Sequence, residues 1–412
     1  MVCSNVRAKT GLWQTAITLV GIAVLLALGA AYQGYGFWTL LCATGDSIPV
    51  DFRLRWMESV LLLEGKDSHR WGHPDPLLPE RMHMQWKLGG GYPPWATGIG
   101  MLFAPPVSWG IARFWFGALN AIALLGVSGW AFAIGKRHSL TCGVFCVGAV
   151  LACAPVAICL SYGQYSLMVL AAIILGLVCL ERGRNVAAGL ALGIACVKPH
   201  LAALPLLAIA LKGHFVPLLI ASVVVVATSM VPWAFTGIDP ITWFMEAQLD
   251  ARKFVGISVN PLTELLLPML GFDTTMLVLG VTGVVITIGM VWGRNVKLPL
   301  DVTVAMAVVV SMFVSYRRPY DVPLLALPML VLFGAAAASR SWAYWAAAGA
   351  FGATLWIPFR NEQWSWPWVQ TFHSVVWVGC ALLLFYTKRS SGVRLETGNE
   401  EARDEVAVES HR

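Results

Sequence analysis

The sequence predicts an all-α integral membrane protein, a polytopic bundle of about ten to twelve transmembrane helices with short broken or re-entrant pieces and polar loops gathered on one side. Three observations carry this. Hydrophobic residues make up 58% of the 412 positions and charged residues only 12%, about half the charge of an average soluble domain. The mean hydropathy is +0.70. The apolar stretches are long and continuous rather than alternating, which favours helices over an outer-membrane barrel. A soluble enzyme of this composition would be greasy over its whole surface. Disordered, coiled-coil and disulfide-rich secreted classes fall for the same reason.

Taking about 20 residues per crossing, apolar runs fall near 12–33, 109–134, 140–160, 165–180, 214–234, 272–293, 299–315, 321–338, 341–359 and 367–387. The first run follows Arg7 and Lys9 and is too long for a cleaved signal peptide, so it reads as a retained signal anchor. Between 185 and 212, two short apolar runs meet at Lys198-Pro199-His200, as two helices broken at a polar apex would. Residues 94–106, interrupted by Pro105-Pro106, read as a short piece that dips in without crossing. The nine cysteines form no Cys-x-x-Cys pair and mostly fall in apolar runs, where Cys is a small hydrophobe. Neither a disulfide framework nor a metal site is expected. Residues 1–387 thus form one membrane domain, and 388–412 a charged cytoplasmic tail expected to be disordered.

The positive-inside rule tests the count. With the N-terminus in the cytoplasm, the inner turns contain Lys136-Arg137-His138, Arg182 with Arg184, Lys212, Arg294 with Lys297, Arg340, and Lys388-Arg389. Every inner turn is then basic, and both termini are cytoplasmic. The other polar segments collect outside: the long loop 34–93, Tyr162 to Gln164, Lys198 to His200, the loop 235–271, Tyr316 to Asp321, and Arg360 to Gln363. The binding or catalytic machinery of such a protein faces the extracytoplasmic side of the plasma (inner) membrane.

Within the first outer loop, a helix from Val50 puts Asp51, Arg55 and Glu58 on one face and Leu54, Met57 and Leu61 on another, an amphipathic helix at the membrane surface. Asp51 either caps this helix with Arg55 paired to it or stands at the membrane boundary as a general base; spacing leaves both open. The outer cations Lys198, Arg252, Lys253, Arg317, Arg318 and Arg360 lie where the positive-inside bias depletes them. They suit either a lipid-linked phosphate or anionic headgroups, and Lys198, beside a helix break, is the best phosphate candidate. His69, His73 and His83 have no carboxylate at fixed spacing and read as solvated loop. Tryptophans such as Trp364, Trp366 and Trp368 read as interface belts. No P-loop, dinucleotide fingerprint or Asp-x-Asp pair is present, so soluble nucleotide chemistry and nucleic acid are not indicated.

The order Asp51-Phe52, Gly91-Tyr92-Pro93-Pro94, Gly163-Gln164-Tyr165-Ser166, Glu181-Arg182-Gly183, Gly189 to Gly193 and Lys198-Pro199-His200 resembles glycosyltransferase family 87. The likeness continues through Ser258-Val259-Asn260 and Ser315-Tyr316 to Tyr320-Asp321. The resemblance implies a GT-C fold and transfer of a sugar, mannose by family frequency, from a polyprenyl-phosphate carrier to a lipid or glycan acceptor hydroxyl on the outer face. It implies no metal and no cofactor beyond the donor itself. Asp51 matches the family's acidic residue that deprotonates the acceptor, and Lys198 the lysine near the donor phosphate. Some members place a histidine in a later outer loop, where this chain has Tyr316-Arg317-Arg318-Pro319-Tyr320-Asp321; Arg317 and Arg318 are then phosphate-binding candidates. Arg55, Tyr92, Gln164, His200, Asn260, Tyr320 and Asp321 are the expected substrate-binding residues. A transporter or flippase of a lipid-linked or anionic substrate is the competing class, and the lack of similarity between the two halves speaks against it.

Overall fold

The computed structural model describes residues 2–44, 49–67, 92–254, 261–292, 298–315, 317–339, 341–357 and 367–391. Among these, seventeen α-helices and one 3-10 turn account for nearly all the backbone, without a strand. Asn260, Tyr316, the three loop histidines, Arg360, Trp364, Trp366 and the tail from 392 lie outside the described residues, and only the backbone of Arg252, Lys253 and Trp368 is described.

The first helix, α1 (Val2–Cys42), outruns the expected span, so the outer loop does not begin at 34. Phe37, Trp38, Leu40 and Leu41 extend the apolar run. Arg113 then donates from Nε to the Leu40 carbonyl at 2.6 Å and from Nη2 to the Thr39 carbonyl at 3.2 Å. Carbonyls of a last helical turn have no partner within the helix, and these two find one in the guanidinium. Next come α2 (Val50–Leu63), the helix expected from Val50 but buried over most of its length rather than lying on the surface, and the short piece α3 (Pro94–Phe103), too short to cross. α3 packs against a later span so closely that a Cβ on Gly98 would collide with the Thr228 carbonyl.

α4 (Trp109–Lys136) is a full span. The expected span at 140–160 is a bent pair, α5 (Leu140–Leu151) and α6 (Ala154–Tyr162), turned by 42°. Pro155 brings no N–H to a continuous ladder, and Gln33 of α1 donates to the Leu151 carbonyl at 2.7 Å. α7 (Ser166–Glu181) follows, then α8 (Asn185–Ala195) and α9 (Pro199–Leu211), the two short helices expected around Lys198. Pro199 at the first position of α9 stops the preceding helix and suits the start of the next.

After the span α10 (Phe215–Thr236), the loop expected over 235–271 turns out to be largely helical, with α11 (Pro240–Phe254) and α12 (Pro261–Leu270). α13 (Phe272–Trp292) and α14 (Leu300–Val314) lead to the 3-10 turn Pro319–Leu325, which runs straight into α15 (Ala326–Ser339). α16 (Trp342–Trp356) and α17 (Pro367–Ser391) complete the described chain. Among the described residues five helices are long and apolar enough to cross alone, or six with the bent pair counted as one; other expected crossings fall on shorter apolar helices, α7, α8, α9, α14 and α17.

The core gathers around the 3-10 turn and α15, whose apolar window is 72% buried, against 22% for α10 and for α13. The latter two present their apolar side chains outward, as helices facing lipid do. The innermost span therefore begins at Pro319 and Asp321, and the polar groups described next pack against that start.

Candidate active site

α2 is fixed by its aromatic residues. Phe52 stacks on Phe116 at 4.3 Å between ring centroids and on Trp109 at 5.4 Å. Trp56 donates from Nε1 to the Val107 carbonyl at 2.8 Å, and the Arg53 guanidinium lies 4.3 Å from the Trp56 ring and 4.6 Å from the Trp109 ring. The shared face of Asp51, Arg55 and Glu58 is real, but it is turned inward: Arg55 and Glu58 are buried and Asp51 is half-buried. Asp51 is also not the cap. Pro49 occupies that position, and Asp51 lies in the first turn, where the helix dipole favours a carboxylate.

The Asp51 carboxylate meets a distant partner, Gln164, whose Nε2 donates to Oδ2 at 2.6 Å. The encounter depends on Gly163. It ends α6 with φ +72°, and a Cβ there would collide with Phe52, so only glycine lets α2 pass this close. Burial pushes the Asp51 carboxyl above its ordinary range, although the Gln164 hydrogen bond and the charges of Arg55, Lys198 and Arg318 pull it down. A carboxylate so raised is a stronger proton acceptor than one in water.

Two ion pairs flank Asp51. On one side Arg55 Nη1 meets Glu58 Oε2 at 2.7 Å, Thr97 of α3 donates to Glu58 Oε1 at 3.4 Å, and the guanidinium lies 4.4 Å from the Tyr92 ring. On the other, Lys198 Nζ meets Asp321 Oδ1 at 2.6 Å and donates to Ser166 Oγ at 2.8 Å, 4.8 Å from the Tyr320 ring. Ser166 donates to Asp321 Oδ1 at 2.9 Å, the Arg318 N–H donates to Asp321 Oδ2 at 3.0 Å, and His200 Nε2 lies 3.9 Å from that oxygen.

Of the residues expected from sequence, Asp51, Arg55, Tyr92, Gln164, Lys198, His200, Arg318, Tyr320 and Asp321 come together in this way. Arg317 does not join them. The extended backbone at Arg318 sends neighbouring side chains to opposite sides, and Arg317 is buried with its guanidinium 4.9 Å from the Trp377 ring of α17. Sequence reasoning missed Glu58 and Thr97 as a brace for Arg55, and Ser166 as a brace for Lys198. Ser166 was visible as the last residue of the Gly-Gln-Tyr-Ser motif at the start of α7. Among the described residues no three His, Cys, Asp or Glu side chains group as metal ligands.

The sequence model of Glycosyltransferase family 87 matches residues 91–316, more than half of the 412 residues. No curated protein and no solved structure matches the chain. The matched stretch holds Tyr92, Gln164, Ser166, Lys198 and His200, and the fold brings Asp51 and Asp321 to it from either side. The match also selects between the two classes left open by the sequence, an enzyme and a transporter. The chain belongs to glycosyltransferase family 87 and is a multi-pass membrane glycosyltransferase.

Proposed function

We propose that the protein transfers a sugar, with mannose the first candidate, from a polyprenyl-phosphate-linked donor to a hydroxyl of a lipid or glycan acceptor, on the extracytoplasmic side of the plasma membrane. Asp51 takes the proton of the acceptor hydroxyl as its oxygen attacks the anomeric carbon. The bond from that carbon to the phosphate oxygen breaks, and the polyprenyl phosphate leaves with the electron pair. The configuration inverts in this single displacement. Lys198 and Arg318, gathered around Asp321, supply the positive field that stabilises the departing phosphate, His200 beside them offers a ring N–H, and Tyr92 and Tyr320 offer ring faces beside the two ion pairs. No metal or cofactor is needed, because protein cations meet the developing charge.

The observation that carries this reading is the half-buried Asp51 carboxylate, bound to Gln164 and within the field of three cations. The test is transfer of radiolabelled sugar from polyprenyl-phosphate-mannose, then from a panel of other polyprenyl-phosphate sugars, to extracted lipid acceptors. Asp51→Asn should fold normally and lose transfer by about 10²–10⁴-fold, the usual worth of a general base. Full activity in Asp51→Asn would remove the residue as base, and failure of the whole donor panel with wild type would remove the polyprenyl-phosphate donor.

A further inference from the structure

Lys198 is the residue the family resemblance sets nearest the donor phosphate, yet burial separates it from His200 and Arg318, its neighbours around Asp321. Its side chain is 2% exposed, and its ammonium is engaged by Asp321 Oδ1 at 2.6 Å and Ser166 Oγ at 2.8 Å. Ser166, itself buried, donates to the same Oδ1 at 2.9 Å and closes a three-membered ring of hydrogen bonds. A phosphate reaching Lys198 would have to open that ring and leave Asp321 charged and buried, which low-dielectric surroundings penalise heavily. The outer members of the cluster differ. The His200 side chain is 31% exposed and Arg318 is half-buried.

Both outer members lie at the remaining carboxylate oxygen. Asp321 Oδ2 accepts the Arg318 N–H at 3.0 Å, fixing the backbone from which the guanidinium departs, and faces His200 Nε2 at 3.9 Å. One carboxylate thus ties the N-terminus of α7, the break before α9 and the strap ahead of α15.

We infer that Asp321 and Ser166 are positioning residues that hold Lys198 behind the site, and that His200 and the Arg318 guanidinium make the direct contacts with the donor phosphate. This rests on the phosphate-donor reading above. The guanidinium fork gives charge-assisted hydrogen bonds to phosphate oxygens, and an imidazole N–H donates to them as well.

The experiment measures binding of citronellyl phosphate, a short polyprenyl monophosphate, against citronellol, the same chain without phosphate, by the full-length protein in lipid nanodiscs. Wild type should prefer the phosphate by about tenfold or more, the worth of one or two charge-assisted hydrogen bonds. His200→Gln and Arg318→Gln should each lose most of that preference. Ser166→Ala should still fold, with a lower thermal midpoint, and lose part of that preference, whereas Ser166→Thr, which keeps the hydroxyl, should retain it. Should Ser166→Ala fail to fold, Lys198→Met/Asp321→Asn, which buries no unpaired charge, is read the same way and should also lose preference. Wild type with no preference would overturn the phosphate reading and this inference with it. Preference retained in both His200→Gln and Arg318→Gln would overturn the direct contacts alone, and preference retained in Ser166→Ala or in the double variant would overturn the positioning role.

Discussion

The two ion pairs beside Asp51 have the same parts, a cation, a carboxylate, a hydroxyl and a tyrosine ring, but they are assembled differently. Arg55 and Glu58 are three residues apart on one helix, and Thr97 of α3 and the Tyr92 ring touch them from outside it. Lys198 and Asp321 are 123 residues apart, and Ser166 is a third distant contributor. The first pair is made as soon as α2 forms; the second exists only when α7, α9 and the turn before α15 have all docked. A local pair braces one side chain, whereas a long-range pair also reports, and helps enforce, the assembly of the site. Breaking one member of each should therefore have unequal consequences.

The largest effect is expected from Lys198→Met, which leaves Asp321 charged in a buried place. Such a break costs about 3–5 kcal/mol, seen as a lower thermal midpoint in detergent, and Lys198→Met/Asp321→Asn should recover most of it. Glu58→Gln keeps an acceptor for Arg55 and Thr97, so it should cost less, about 1.5–3 kcal/mol. Equal losses in the two variants would mean that the long-range pair is no more than a second brace.

Gly163→Ala tests the other long-range link, from α2 to Gln164. Gly163 and Gly183 both have positive φ, +72° and +69°, but only at Gly163 would a Cβ strike another element, at Phe52. Gly183→Ala then measures conformational strain alone, about 1–3 kcal/mol. Gly163→Ala adds displacement of Asp51 from its hydrogen bond, and sugar transfer should fall much further than in Gly183→Ala. Similar activity in the two would detach Asp51 geometry from catalysis.

A subtler effect concerns pH. As the proposed base, Asp51 would have to be ionised to accept a proton, and burial raises its pKa, so transfer should fail on acidification at a higher pH than the ordinary aspartate value of about 3.9 implies. The Gln164 hydrogen bond favours the charged form. Gln164→Ala should therefore move the acid limb to still higher pH, and an unmoved limb would assign it to another group.

Legibility in the sequence follows the same division between local and distant. The continuous apolar runs, the break at Lys198-Pro199 and the polar face of α2 are written in neighbouring residues, and the structure has them where periodicity and proline chemistry put them. The 42° bend between α5 and α6 was missed because Pro155 alone does not say that Gln33 will take up the freed carbonyl. The role of Asp51 as cap or base was undecidable from spacing, because its partner is 113 residues away. Arg317 and Arg318 looked equivalent as adjacent cations; only the extended backbone at Arg318 shows that one turns to Trp377 and the other toward Asp51. Ser166 and Glu58 are chemically ordinary until burial gives their hydrogen bonds weight.

The smallest expected effect compares the hydroxyls of the two flanks. Thr97 reaches Glu58 at 3.4 Å, near the limit for a hydrogen bond, whereas Ser166 makes two bonds, at 2.8 Å to Lys198 and 2.9 Å to Asp321. Thr97→Val preserves shape and removes one long bond, while Arg55 still compensates Glu58, so its cost should stay below about 1 kcal/mol. Ser166→Ala removes two short bonds from a buried ring, so it should cost more stability than Thr97→Val and, on the proposed phosphate-donor reading, also weaken the donor side. Thermal midpoints and donor KM measured on both variants separate the flanks: Thr97→Val should leave donor KM at its wild-type value, and Ser166→Ala should raise it. A raised donor KM in Thr97→Val would place the Arg55 flank on the donor side as well, and the division of the site at Asp51 would have to be redrawn.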